Sequence, residues 1–423
     1  PDPEARLEEP LVVRPTSETV IVAAFQRWIR SHRDLPLLLN QWANVVRWEM
    51  RPRLFLRTVE FLWQEGHTAH ATAEEALEET RRMLEVYRTF AEDSLAMPVV
   101  AGEKPSHERF PGAQSTFSIE AMMQDGKALQ AGTAHYLGTN FSRVQNIRFQ
   151  SERGDLAYAY TTSWGVTTRL VGGVVMTHGD DDGLRLPPII APRQIVIVPI
   201  LRDKPEDASV REYCEALARE LGVGVAFGEP IRALCDHKAG RSVDKRWGWL
   251  KRGVPIVCEI GARDVAAGSV TFIRRDRARQ GEKIEFASLP RAELVSSAPA
   301  LLVAIQSALH LEARARLEAN VRADLASFAD LEAYYGGAGD SGATAESAAA
   351  GAEESAGAES FRGWALVPWA RPEGAALDAI DRQLKSLKLT VRVAPLEQES
   401  VEGRVCAFSG APAQEWVLVG RAY

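Results

Sequence analysis

Alternation over residues 59–67 is the tightest local constraint in this chain. Period two puts Phe61, Trp63, Glu65 and His67 on one face of a strand. The preceding run, residues 37–49, is apolar and strand-like and ends in Arg47-Trp48-Glu49, with Arg47 and Glu49 on a common face. Arg51, Arg53 and Arg57 lie between the two runs. Two antiparallel strands joined by a cationic loop have two readings. One is a triphosphate cradle, in which Arg bridges a phosphate bidentately, Glu accepts from an amino group and Phe stacks on a purine. The other is an exposed, salt-bridged hairpin.

A second signal is Gly165-Val166-Thr167-Thr168-Arg169, running into the apolar, Gly-bearing segment 170–176. An Arg entering such a helix is costly to bury without a partner. An anion is one candidate partner and a structural carboxylate the other. Two further patterns are decoys. His67 and His70 are three apart and point to opposite faces of a strand, which argues against a metal pair. Asp180-Asp181-Asp182-Gly183 opens like a calcium loop but lacks the spaced ligands and the closing Glu, so a structural turn is expected.

Between these signals the organisation is regular. Thr16-Ser17-Glu18 caps a helix whose apolar positions Val20, Ile21, Ala24, Phe25, Trp28 and Ile29 recur at helical spacing. Thr72-Ala73-Glu74-Glu75 reads as a capping box launching a helix to about Ala96. Two strands turning at Asp125-Gly126 follow, then an apolar helix after Trp164. From Pro192 the texture changes to a short buried strand at Ile195–Val198, a helix near 206–221 and further alternation, an α/β pattern to about 290. Residues 336–360 are low-complexity Gly, Ala, Ser and Glu and read as a flexible insert. A final module of about 60 residues ends at Tyr423.

The 423 residues allow two to four domains. With 46% apolar and 25% charged residues, wholesale disorder, a collagen-like fibre and a disulfide miniprotein are excluded. No apolar run is read as approaching the roughly 20 residues of a membrane span. The start, Pro1-Asp2-Pro3-Glu4, lacks the order of a signal peptide and lacks an initiator Met. A net charge of −7 gives no global pull toward nucleic acid or anionic lipid, although a local basic face can still bind RNA. Cys214, Cys235, Cys258 and Cys406 have no CxxC spacing, so the default is a reducing cytoplasm.

Together the two signals resemble motifs 2 and 3 of the class II aminoacyl-tRNA synthetases. The longer strings VVRPTSETV (12–20), LRTVEFLWQEGHTAHAT (56–72), ALQAGTAHYLGTNF (128–141) and MTHGDDDGLRLPP (176–188) are similar to the archaeal and eukaryotic-like prolyl-tRNA synthetase family. The resemblance is dense over about residues 10–200, weaker to about 265 and faint beyond.

The resemblance implies that Arg47 holds the ATP α-phosphate and the substrate carboxylate, that Glu49 meets the adenine amino group and that Phe61 stacks on adenine. Arg57, Thr58, Gln130, Thr133 and Thr167 complete the nucleotide site, and Arg169 holds the γ-phosphate. Arg47 and Arg169 are thus the expected catalytic residues. Thr16, Glu18, Trp63, Glu65, His67, Phe110, His135 and Ser163, with Arg47, form the implied proline pocket. A charged secondary amine on a compact apolar ring suits an acid or acceptor beside aromatic walls. The implied reaction is attack by the proline carboxylate on the α-phosphate of Mg2+-bound ATP, followed by transfer to tRNA(Pro). The nucleophile is already ionised, so positioning and charge stabilisation carry the first step, and His67 and His135 are pocket residues rather than bases.

Departures from the family also carry expectations. Too few residues separate His67 from Lys127 for an editing domain, so a pocket alone rejects a smaller apolar amino acid by ~1–3 kcal/mol per methylene. Gly248 stands where the family has Glu, yet Lys238, Arg241, Lys245, Arg246, Lys251 and Arg252 interleave with Trp247 and Trp249, a mix that suits single-stranded RNA. Only Cys406 remains of the four-thiolate zinc site found in relatives, so no structural zinc is expected. The family's segment before residue 10, with motif 1 and much of the dimer contact, is missing; the chain is expected to be a fragment of a homodimeric protein, the other reading being a naturally shortened one.

The expected fold is mixed α/β: an antiparallel class II catalytic sheet (1–190), an α/β anticodon-binding domain (191–290) and a small α+β C-terminal domain (291–423). The expected function is a cytoplasmic proline–tRNA ligase without membrane contact. The alternative is a non-aminoacylating paralogue that binds RNA or a partner, or activates an amino acid for another acceptor.

Overall fold

The computed structural model describes residue 9 and residues 12–280, 283–336 and 362–423. The insert read at 336–360 lies, apart from Gly336, outside the described residues. The chain divides into two compact units, one of residues 1–88, 99–173 and 319–423, the other of residues 89–98 and 174–318.

In the first unit, helix α1 (Glu18–Trp28) precedes strands β1 (Leu37–Val46) and β2 (Glu60–His70), then helix α2 (Ala73–Thr89) and strands β3 (Val99–Glu103), β4 (Ser115–Met122), β5 (Ala128–Gly138) and β6 (Tyr160–Thr167). The strands are antiparallel in the order β1-β2-β6-β5-β4-β3. Val22, Phe25 and Ile29 of the α1 segment pack with Ala69, Ile147, Phe149 and Ala159. Helix α3 (Arg169–His178) follows β6 directly.

Two helix starts differ from the sequence pattern. Ser17 occupies the cap position of α1, but its hydroxyl bonds the buried Glu65 carboxylate instead of the helix. At α2, Glu75 N–H donates to Thr72 Oγ1 at 3.2 Å as a capping box requires, but the Glu75 carboxylate accepts from Ala71 N, one residue early.

The second unit carries β7 (Ile195–Pro199), α4 (Asp207–Val223), β8 (Ala233–Cys235), α5 (Ser242–Lys251), β9 (Ile256–Ile260), β10 (Ser269–Arg274), β11 (Ala287–Pro290) and most of α6 (Arg291–Ala319). Its sheet runs β8-β7-β9-β10-β11, parallel over the first three strands. Ile195 and Ile197 face one core and Val196 and Val198 another, so β7 is apolar throughout because both of its faces are covered. Helix α6 is a correction. It is long and apolar enough, by length and composition, to meet the pattern of a membrane span, which the sequence reading did not find. Leu294, Ala298, Leu302, Ile305 and Leu309 account for much of that character, and all of them join this unit's core. The Asp180–Gly183 segment is a turn, and Asp180 ion-pairs with Arg275 at 2.5 and 2.8 Å.

The C-terminal module returns to the first unit with β12 (Val321–Arg322), α7 (Phe328–Gly336), β13 (Trp364–Trp369), α8 (Gly374–Ser386), β14 (Thr390–Val391), β15 (Ala394–Pro395) and β16 (Glu415–Gly420). A small sheet, β12-β13-β16-β14, packs Val367, Trp369, Val417 and Val419 against Leu377, Ile380 and Leu384 of α8. Strand β15 pairs instead with β3, as the seventh strand of the catalytic sheet.

Candidate active site

Strand register builds the site. Across the sheet Gln41, Glu65, Gly165, Thr133 and Ser118 stand in one row, and Leu39, His67, Ser163, His135 and Thr116 in another. Directly opposed residues share a face, so two rows from five strands present their side chains together. The result is a cavity of about 570 Å³. Arg47, Glu49, Arg57, Thr58, Phe61, Gln130, Thr133, Thr167 and Arg169 line it, as do Thr16, Glu18, Trp63, Glu65, His67, Phe110, His135 and Ser163. Every residue singled out for nucleotide or proline therefore reaches one space. Sequence reasoning missed Lys104, Glu108, Arg109, Thr116 and Trp164, which line the same cavity; none belongs to a pattern that stands out from the chain alone.

The cavity has an acidic, aromatic end. Glu65 accepts from Ser17 Oγ, from Gln41 Nε2 at 2.6 Å and from His67 Nε2 at 3.0 Å. Burial pushes its carboxyl up, but the bonds from His67, Ser17 and Gln41 outweigh burial and hold it below the ordinary value. Thr16 Oγ1 donates to Glu18, itself buried. Phe110 lies over His135 with ring centroids 4.8 Å apart, and desolvation, with a smaller push from His67, brings the His135 imidazole down to about 3. Trp63 Nε1, His67 Nδ1 and Ser163 Oγ are buried without a partner among the described residues. Such orphans mark a place built for a polar ligand.

The other end is cationic. Arg169 Nε donates to Leu56 O at 3.1 Å and Nη1 to Gln130 O at 3.3 Å. Its partners are carbonyls rather than a carboxylate, so the charge stays available to an anion. Burial lowers its pKa, and Arg57 adds to that. Arg47 donates to Pro15 O at 2.9 Å and lies 5.2 Å from the centre of the Phe61 ring and 5.7 Å from that of Trp63. Arg57 and Glu49 are 3.9 Å apart.

Comparison with known proteins follows this geometry. Residues 3–178 match the tRNA synthetase class II core domain (G, H, P, S and T), and residues 194–296 the anticodon binding domain. The proline–tRNA ligase of Sphingomonas elodea is 59% identical over all of this chain and 79% of its own length. That of Protochlamydia amoebophila is 48% identical, over all of this chain and 78% of its own. The chain belongs to the proline–tRNA ligase family. The crystal structure of prolyl-tRNA synthetase from Cryptosporidium parvum, complexed with halofuginone and AMPPNP, superposes with a TM-score of 0.85 at 34% identity, over all of this chain and 80% of that one. This is a class II aminoacyl-tRNA synthetase that uses ATP and has proline and tRNA as substrates. These full-length matches favour the ligase reading over the non-aminoacylating alternative.

In the ligase's anticodon-binding unit the basic cluster divides. Arg246 pairs with Glu259 at 2.6 Å, and Lys245 donates to Asp236 O at 3.0 Å, so both point into the fold. Lys238, Arg241, Lys251 and Arg252 are exposed, with Arg252 over the Trp249 ring. Trp249 itself donates to Asp236 at 2.8 Å, and nothing lies within 4 Å of the place a Cβ on Gly248 would occupy.

Proposed function

We propose that this cavity makes prolyl-adenylate. The proline amine and ring lie at the end formed by Thr16, Glu18, Trp63, Glu65, His67, Phe110, His135 and Ser163, and the nucleotide at the end formed by Glu49, Arg57, Thr58, Phe61, Gln130, Thr133, Thr167 and Arg169. A carboxylate oxygen of proline attacks the α-phosphorus, the bond to the β-phosphate oxygen breaks, and pyrophosphate leaves. Arg47 holds both reacting groups against their mutual repulsion, and Arg169 takes charge on the γ-phosphate. A hydroxyl of the terminal adenosine of tRNA(Pro) then displaces AMP from the prolyl carbonyl.

The single supporting observation is convergence: one cavity combines a buried acidic and aromatic end with an Arg-bearing end. Gln130 and Thr133 offer uncharged oxygens at the nucleotide end, and these fit a Mg2+ that takes most of its ligands from phosphate and water. Bound magnesium would neutralise phosphate charge. We assign no structural zinc, because Cys406 is alone in its module.

Three assignments extend the reading. Strand β1 is a sheet edge, and Leu38, Trp42 and Leu62 are well exposed on β1 and β2, which supports pairing with a second copy as a homodimer. The exposed Lys238, Arg241, Lys251 and Arg252 support contact with tRNA phosphates. We also infer a cytoplasmic location, with which the four free cysteines agree.

The deciding experiment is proline-dependent ATP–pyrophosphate exchange, with Arg47→Ala as control. Exchange with proline that disappears in the variant supports the reading, whereas no exchange with any amino acid from folded protein overturns it.

A further inference from the structure

Glu120 on β4 is wholly buried and stands across the ladder from Gln130, which lines the cavity. Its Oε1 accepts from Lys104 Nζ and Ser118 Oγ, each at 2.9 Å. Its Oε2 accepts from Arg392 Nη2 at 2.8 Å and Nε at 3.2 Å. Lys104 and Arg392 are themselves only 3% and 8% exposed, so two buried cations share one buried carboxylate. Burial alone would raise the Glu120 carboxyl; the two cations outweigh it and keep the group ionised. Replacing such a buried ionic cluster by well-packed apolar side chains is often neutral or stabilising, so stability alone is a weak explanation for it.

Position supplies the explanation. Arg392 follows β14 in the C-terminal module, where its backbone N–H is tied to Leu418 O at 2.7 Å. Lys104 follows β3 and itself lines the cavity, as do Arg109, Phe110 and Pro111 just beyond it. The C-terminal module grips this same stretch on either side of Lys104. Strand β15 pairs with the end of β3, so closely at Gly102 that a Cβ there would lie 2.4 Å from Ala394 O. His107 Nε2 lies 3.2 Å from Asp381 Oδ1 on α8. The far end of the stretch meets the amino-acid side of the cavity, where Phe110 N–H donates to Thr116 Oγ1 at 3.0 Å and the Phe110 ring covers His135.

We propose that Arg392 is a positioning residue for proline activation: by holding Glu120 it fixes Lys104 and, through it, the cavity wall at 104–111, so that the C-terminal module completes the amino-acid site. The inference rests on the proline-activating reading of the cavity.

The test is ATP–pyrophosphate exchange by the full chain, with KM for proline and for ATP measured separately. Parent protein without exchange would sink the functional reading rather than this inference. With an active parent, Arg392→Met raises the proline KM about tenfold through a displaced wall, raises the ATP KM by clearly less and is largely rescued by Arg392→Lys. Glu120→Gln reproduces the effect, and the double variant adds little, because both residues act through one contact. A lower melting temperature with both KM values unchanged means a structural role only and overturns the proposal. Should Arg392→Met not fold, Glu120→Gln decides by the same readout: an unchanged proline KM there overturns the proposal.

Discussion

Glu65 Oε2 lies 3.0 Å from His67 Nε2, two residues along the same strand, while its other oxygen accepts from Ser17 and Gln41. The protein holds both oxygens but leaves one acceptor position on Oε2, which makes the carboxylate a fixed acidic partner beside the proposed amine site. Glu65→Gln is expected to raise the proline KM in pyrophosphate exchange by about tenfold or more, since charge-assisted bonds are worth roughly 1.5–3 kcal/mol, with a smaller change in the ATP KM. Equal changes in both constants would contradict the placement.

Arg169 presents its guanidinium through two bonds to backbone carbonyls. Lys carries its donors on a single nitrogen and cannot reproduce the planar fork that holds the two carbonyls from separate atoms. Exchange should therefore fall roughly a hundredfold or more in Arg169→Ala, with Arg169→Lys closer to the Ala variant than to the parent. An active Lys variant would show that point charge alone suffices.

His178 is one source of pH-dependent stability. Burial is the larger influence and brings its imidazole down to about 4, although Leu95 O accepts from its ring at 2.9 Å. A folded value below the unfolded 6.5 means that the unfolded chain binds the proton first. Stability is thus full above about pH 6.5 and declines as pH falls toward 4, by at most about 1.4 kcal/mol per pH unit for this group. Urea unfolding midpoints at pH 7 and pH 5 measure the loss, and His178→Gln should reduce it but not abolish it, because burial brings the His135 imidazole down as well, to about 3.

Gly66 has no room for a side chain, because a Cβ there would lie 1.9 Å from the Trp164 ring. Gly66→Ala must displace that ring, which meets Tyr87 edge-on at 6.4 Å. A cost of roughly 1–3 kcal/mol is expected from overpacking, read as a lower melting temperature. An unchanged melting temperature would mean that the indole moves freely.

Trp42 is 81% exposed on the edge strand β1. If a second copy covers it, Trp42→Glu places an unpaired charge in the interface and yields monomers in sedimentation at concentrations where the parent is dimeric. A parent that is itself monomeric would remove the homodimer assignment.

Much of the site was legible in the chain because its parts are local. Alternation over residues 59–67 dictates which side chains of β2 share a face, whatever surrounds them, and the Gly165–Arg169 string places an Arg at a helix start. Other features are not local. Lys245 and Arg246 looked as available to RNA as Lys251 and Arg252, and only folding aimed them at Asp236 and Glu259. Apolar content alone could not tell a core helix from a membrane span at Arg291–Ala319; the neighbours that cover its Leu and Ala residues could.

The division has a physical cause. Backbone period and the cost of burying charge act over a few residues, so the sequence by itself determined the strands of the site and the chemistry each face carries. Glu120 and Arg392 are 272 positions apart, and no periodicity relates them. Their contact exists because the last module adds a strand to the edge of the catalytic sheet. Tertiary structure alone decided that a buried acid beside the cavity is held by an arginine from the far end of the chain.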